Sequence, residues 1–146
     1  MKPFIVKPEI RWSDLDPNFH VLHSKYYDFG AYSRMAFLVE HGFTAQVMQQ
    51  LHIGPILFRE ECLFKKELNF GDSISINLEI SKTTSNYARW SMRHEIYRNG
   101  DILAAIINID GAWMDTEKRK LTAAPAMIAA IFEGAPKTAD FQIIIK

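Results

Sequence analysis

A change of hydrophobic period at about Ile56 constrains this chain more than any other feature. Before it, Ser24 to His41 contains no proline and reads as a helix, with Ser24 as N-cap and Gly42 as the residue that stops it. Tyr26, Tyr27, Phe29, Ala31, Tyr32, Met35, Ala36, Phe37, Leu38 and Val39 leave that helix little polar face, which predicts burial nearly all round. Gly30 in its middle costs about 1 kcal/mol relative to Ala, which predicts a close approach by another backbone. A short helix over Thr44 to Leu51 follows, and Gly54-Pro55 is expected to end it.

After Ile56 the period is two. Ile74, Ile76, Leu78 and Ile80 alternate with polar residues, as do Ala88, Trp90, Met92, His94 and Ile96. Asn99-Gly100 is a hairpin signal, because both central positions of a type I′ turn need positive φ. Ile102 to Met114 is a long strand whose nearly continuous apolar run predicts cover on both faces. Phe58 to Phe70 reads as a strand closed by a turn at Gly71-Asp72. Phe4 to Trp12 reads as an edge or bent strand interrupted by Pro8. Pro125 opens a short C-terminal helix that Gly134 ends, and Phe141 to Ile145 either adds a strand or stays loose. One long helix and a set of antiparallel strands joined by short turns make an α+β layout. No linker or repeat divides residues 1–146, so a single domain is expected.

Lys+Arg and Asp+Glu each number 17, so the formal net charge is zero. That argues against a bulk nucleic-acid binder, which carries a basic surplus. It leaves room for a local basic cluster facing a small anion. The single cysteine, Cys62, excludes an internal disulfide and a cysteine-based zinc site. His20 and His23 lack a third ligand, so no metal is expected. No apolar run approaches the roughly 18 residues that cross a membrane, and the first residues lack the apolar stretch of a signal peptide. A reducing, cytoplasmic setting is expected.

The titratable groups concentrate in one short loop, Asp14-Leu15-Asp16-Pro17-Asn18-Phe19-His20-Val21-Leu22-His23, which feeds straight into the long helix. Two carboxylates and two imidazoles are the raw material of general acid–base or nucleophilic chemistry. The helix start adds unsatisfied N–H groups and the positive end of a dipole, which suit a developing oxyanion. Read without function, Asp14 caps a turn, Asp16 opens an Asp-Pro turn and the histidines pack at the surface.

Arg11-Trp12-Ser13-Asp14-Leu15-Asp16, followed by His20-Val21, Tyr26 and Arg34, resembles the opening of the hotdog-fold acyl-CoA thioesterases. More narrowly it is similar to the hydroxybenzoyl-CoA thioesterase-like group. Gly42-Phe43, Leu68-Asn69-Phe70-Gly71-Asp72, Tyr97-Arg98-Asn99-Gly100 and Pro125 continue the resemblance, which spans roughly residues 4–133. It implies a hotdog fold, with a long central helix wrapped by a curved antiparallel β-sheet, and hydrolysis of an acyl-CoA or acyl-ACP (acyl-carrier-protein) thioester to free acid and thiol. By position, Asp16 matches the catalytic carboxylate, as nucleophile or as base for water. His20 and His23 match the histidines of two branches of the family. The N–H of His23 or Ser24 matches the donor to the thioester oxygen. Ser24, Tyr26, Phe19 and Arg89 are the candidate substrate contacts, and no cofactor is implied. The resemblance also implies a homodimer or homotetramer with the site at the subunit boundary. Three departures stand out: Phe19 occupies the position of the family's usual Gly, Leu22 and His23 replace its paired Asn residues, and Ala31 takes the place of an acid on the helix. Those at Phe19 and Leu22 motivate a rival reading, a non-catalytic acyl-thioester-binding or scaffolding protein. A dehydratase is disfavoured because Asp28 lacks the partner that branch uses.

Lys65, Lys66, Arg89 and Arg93 are the cations available to phosphates, since ionised donors bond phosphate strongly.

Overall fold

The computed structural model describes residues 2–144. Three helices, α1 (Lys25–Glu40), α2 (Ala45–Leu51) and α3 (Ala126–Gly134), accompany eight strands. These are β1 (Ile5–Val6), β2 (Ile53–Phe64), β3 (Ile74–Asn77), β4 (Glu79–Thr84), β5 (Arg89–Arg98), β6 (Ile102–Asp115), β7 (Lys120–Leu121) and β8 (Lys137–Ile144). One sheet runs β2–β6–β5 and then β3 and β4, which share the far side of β5 as a single strand broken at Leu78. β1 lies outside β3, β8 outside β4, and β7 pairs with the end of β6. α1 touches β1, β2, β3 and β6, strands from both sides of the sheet, which requires the sheet to curl around it. Register shifts between Leu57 and Arg59, Ile80 and Lys82, and Ile96 and Tyr97 supply bulges that sharpen the curl. The long helix wrapped by a curved sheet is the expected α+β hotdog arrangement.

The alternating residues fall as the period requires. Ile74, Ile76, Leu78 and Ile80 are buried, as are Trp90, Met92, His94 and Ile96. Asn99 and Gly100 take positive φ of 49° and 100° and turn β5 into β6. Gly42, with φ 85°, ends α1. Gly111 is fixed by close approach, since a Cβ there would stand 2.5 Å from Trp90 Cη2 and 2.7 Å from the Ile56 carbonyl oxygen.

Several expectations need correction. Phe4 to Trp12 is not one strand: only Ile5–Val6 pairs with β3, and Trp12–Asp14 forms a 3₁₀ turn. α2 ends at His52, which adopts the left-handed region, and Gly54-Pro55 lies inside β2. Proline is tolerated there because β2 is an edge strand bonded only to β6. β2 therefore spans Ile53–Phe64, not 58–70. The outer face of β6, at Ile106, Asn108 and Asp110, is only half-buried, because α1 covers one face of the sheet. For the same reason α1 is not buried all round and exposes Tyr32, Met35 and Val39. Ser24 precedes α1 with helical φ and ψ and makes no side-chain cap bond. The C-terminal segment does add a strand, β8, which pairs with β4 in parallel, the one departure from an antiparallel sheet among the described residues. Ile145 lies outside them.

Gly30 makes room for side chains, not for a backbone. A Cβ there would stand 3.2 Å from Arg34 Nη1 and 3.5 Å from His94 Cδ2. Arg34 Nη1 lies 3.1 Å from His94 Nε2, and His94 Nδ1 lies 2.8 Å from the Asn77 carbonyl oxygen. Arginine and a carbonyl fix the tautomer: Nδ1–H donates to Asn77 and Nε2 accepts from Arg34. Arg34 Nη2 reaches Glu60 on β2 at 3.7 Å.

Candidate active site

The loop before α1 folds on its own polar groups. Asp14 is buried and accepts hydrogen bonds from the Arg11 N–H (2.9 Å) and Arg11 Nη2 (3.1 Å). Burial alone would raise its pKa, but the Arg11 backbone and guanidinium hold it below the ordinary carboxylate value. Its backbone carbonyl accepts from the Leu22 N–H. Asp14 is thus engaged within the loop, and Asp16 is the loop's other carboxylate.

Asp16 Oδ1 accepts from the N–H groups of Asn18 (2.9 Å) and His20 (3.2 Å). The Asp16 N–H donates to the His20 carbonyl, and the Phe19 N–H to the Asp16 carbonyl. This tight turn forces Phe19 to a φ of 66°, where a non-glycine residue is strained. Glycine would adopt that region freely. Val21 then pairs with Leu68, and His20 bridges to Asn69, which docks the loop on the segment after β2.

Asp16, His20, His23 and Tyr26 line one open cleft of about 290 Å³, together with Phe64, Lys65, Lys66 and Glu67. His20 Nε2 lies 3.2 Å from Glu67 Oε2, and the Tyr26 and Phe64 rings meet edge to face at 4.9 Å. Tyr26 is buried, which pushes its phenol above the ordinary value and keeps it a neutral donor. Among the described residues, the N–H groups of His23 and Ser24 donate no hydrogen bond within the protein. They stand at the start of α1, beside the cleft.

The other candidates fall elsewhere. The Ser24 side chain is exposed outside the cleft lining, and Phe19 points outward against Trp12 at 6.0 Å. Arg89 sits over the Phe58 ring at 5.3 Å and lines a different surface hollow, and Arg93 pairs with Glu95. Of the four cations, Lys65 and Lys66 reach the cleft. Glu67 and Phe64, which also line the cleft, carry no local signal in the sequence. They lie more than 40 residues from the loop, and only the pairing of β2 with β6 and of Val21 with Leu68 brings them to it. Cys62 is not a nucleophile at neutral pH, since burial, with Glu60 adding to it, pushes its thiol up to about 11. Among the described residues no group of three or more His, Cys, Asp or Glu is placed to hold a metal ion. No helix among them is long and apolar enough to cross a membrane.

A second hollow lies between α1 and the first half of β2. Ala31, Met35, Leu57, Trp90 and Trp113 give it apolar walls, with Arg34 at its margin, around a cavity of about 190 Å³.

A carboxylate with one oxygen anchored by backbone N–H groups, two imidazoles and unpaired helix N–H donors can activate water or attack an acyl carbon, and can receive a developing oxyanion. Comparisons with known proteins identify the family. A protein of Aquifex aeolicus (strain VF5), described provisionally as an esterase, is 25% identical over 116 residues, 70% of this chain and 91% of its own. A 1,4-dihydroxy-2-naphthoyl-CoA thioesterase from Synechocystis superposes with a TM-score of 0.81 at 16% identity, covering 91% of this chain and 97% of its own. A Staphylococcus aureus protein solved in complex with CoA superposes at 0.82 and 18% identity, covering 94% and 89%. At these identities the likeness of structure carries the hotdog fold. The family model of the thioesterase-like superfamily matches residues 10–132, and this chain belongs to that superfamily.

Proposed function

We propose that this protein hydrolyses an acyl-CoA thioester to a free acid and coenzyme A. The observation that carries the reading is the convergence of Asp16, His20 and His23 on one cleft at the start of α1. The superfamily and the CoA-bound and CoA-thioesterase relatives support it. Asp16 Oδ1 is tied to the loop, which leaves Oδ2 to act. As base, Oδ2 takes a proton from water while the water oxygen bonds to the thioester carbon. The negative charge moves to the carbonyl oxygen, where the His23 and Ser24 N–H groups receive it. One such donor contributes about 10²–10³ in rate. Collapse breaks the C–S bond, and the proton passes to the departing sulfur, with His20 or His23 assisting. As nucleophile, Oδ2 itself bonds to the carbon, the thiolate leaves, and water then opens the mixed anhydride.

The working unit is a homodimer, itself able to pair into a tetramer. β2 is a twelve-residue edge strand with Leu57, Phe58, Leu63 and Phe64 exposed, an edge that invites pairing. Antiparallel pairing of two β2 strands sets the Phe64 end of one beside the Pro55 end of the other. The Asp16 cleft borders the first end and the apolar cavity borders the second. The acyl group of a thioester held in one subunit's cleft then enters the partner's cavity. A benzene-sized body fits a cavity of about 150 Å³, so about 190 Å³ accepts a small aromatic or short aliphatic acyl group. We place the enzyme in the cytoplasm, consistent with its one unpaired cysteine.

The test is thiol release from a panel of acyl-CoAs, followed by single turnover in ¹⁸O-labelled water. Turnover with label in Asp16 assigns the nucleophile; label in the product acid alone, with no acyl-Asp16 adduct trapped by rapid quench, assigns the base. Saturable binding of acyl-CoA with no thiol release would overturn hydrolysis in favour of a scaffold.

A further inference from the structure

The loop that positions Asp16 carries, on its outer side, a cluster of aromatic rings that the proposed chemistry leaves unused. Trp12 is 66% exposed, Phe19 61% and Phe70 54%. Trp12 stands between the other two, 6.0 Å from Phe19 and 5.7 Å, edge to face, from Phe70. Contiguous exposed apolar surface of this kind marks an interaction site. The placement of Phe19 is also held against strain: its φ of 66° is one that glycine would adopt freely. Strain of that sort is found at ligand clamps and active sites.

The cluster is continuous with the cleft. Phe19 adjoins His20, and Phe70 adjoins Asn69, to which His20 is bridged. The same cleft is lined by Lys65 and Lys66, cations placed for phosphate in a chain with no net charge to attract a polyanion from afar. A planar base joined to phosphates and ending in a thioester matches rings, lysines and carboxylate in turn. Aromatic platforms bind bases by stacking, whatever the base, because every base has a π-face.

We propose that Trp12, Phe19 and Phe70 form a stacking platform for the adenine of a CoA thioester, so that this enzyme selects the nucleotide-bearing thiol over the same acyl group on a carrier protein. The proposal rests on thioester hydrolysis at the Asp16 cleft. The flexible pantetheine arm folds back to bring the nucleotide over the loop while the thioester lies beside Asp16.

The experiment compares one acyl group presented on CoA, on pantetheine and on acyl carrier protein, using wild type, Trp12→Ala and Phe70→Ala. All three side chains are largely exposed, so the variants should fold. Loss of a stacking ring is expected to raise KM for the acyl-CoA about 5- to 100-fold. KM for the acyl-pantetheine should move less than twofold, and kcat should hold for both. The variants keep the lysines, so the effect isolates the base from the phosphates. A parallel binding measurement uses tryptophan emission, since Trp90 and Trp113 are buried and Trp12 is the exposed indole. CoA should quench wild type and not Trp12→Phe, and pantetheine should quench neither. Equal shifts for CoA and pantetheine substrates, or no shift for either, would overturn the platform. So would a carrier-protein substrate preferred by wild type and impaired in Trp12→Ala, which would make the rings a protein-docking surface. If wild type hydrolyses no thioester, the reading of the site fails by itself. The emission measurement then decides the platform: CoA-specific quenching through Trp12 upholds it, and its absence removes it.

Discussion

The backbone N–H of His20 donates to Asp16 Oδ1 at 3.2 Å, while the His20 carbonyl accepts the Asp16 N–H at 2.8 Å. The two residues close a loop on each other, so the carboxylate and the imidazole are placed by the same four atoms. The loop's shape therefore depends on Oδ1 as an acceptor, and the proposed chemistry on the second oxygen as a base or nucleophile.

Asp16→Asn separates those roles, because the amide keeps an acceptor oxygen for the Asn18 and His20 N–H groups. Thermal stability should stay near that of wild type while kcat falls at least about 10²-fold. Steady-state thiol release and a melting curve on the same preparation check it. Near-normal turnover by this variant would falsify the proposed role.

Asp14 predicts the opposite pattern. It is buried and bonded to the Arg11 N–H and guanidinium, so Asp14→Asn should cost about 1–3 kcal/mol of stability. Its folded pKa lies below the ordinary 3.8, so the stabilisation is present above that value and is lost as pH falls below it through the lower folded value. Acid unfolding followed by circular dichroism should be less steep in this range for Asp14→Asn. Identical acid limbs would show that the Arg11 contact contributes nothing to the fold.

His94 predicts a second pH dependence, in a milder range. Burial, with the Arg34 charge adding to it and the Asn77 bond opposing it, lowers its pKa from 6.5 to about 3. Stability from the neutral ring is complete above pH 6.5 and declines as pH falls toward about 3, by at most about 1.4 kcal/mol per pH unit. Urea unfolding at a series of pH values should show this slope in wild type. His94→Gln, which can still donate and accept, should flatten it; an unchanged slope would assign it to other groups.

Gly111→Ala tests the closest packing in the sheet. The added Cβ would meet the Trp90 ring at 2.5 Å and the Ile56 carbonyl at 2.7 Å, and the carbonyl belongs to the β2–β6 ladder. A loss of about 3 kcal/mol is expected from chemical denaturation. A loss below about 0.5 kcal/mol would mean that the strands shift to admit the methyl group.

The local pattern of the sequence determined the parts whose cause is local. Alternation in Ile74–Ile80 and in Trp90–Ile96 set which side chains are buried, because a strand's side chains alternate faces wherever the strand runs. Asn99-Gly100 set a hairpin, Gly42 a helix end, and Asp16-Pro17-Asn18 a turn, each through backbone conformations those residues favour. The Asp14–His23 run carries the candidate residues Asp16, His20 and His23, and the fold brings these three to one cleft. What the chain could not show locally is what lies across from each element. The pairing of His20 with Glu67 and the placement of Arg89 in a different surface hollow follow from strand order and register. The outer faces of α1 and β6 stay partly exposed for the same reason: an apolar run states that cover is favourable, not that the chain supplies a second layer. Pro55 sits in a strand because β2 is an edge, and an edge exists only once the sheet is assembled. Burial, ion pairing and edge status are properties of neighbours distant in sequence, so tertiary structure alone decides them.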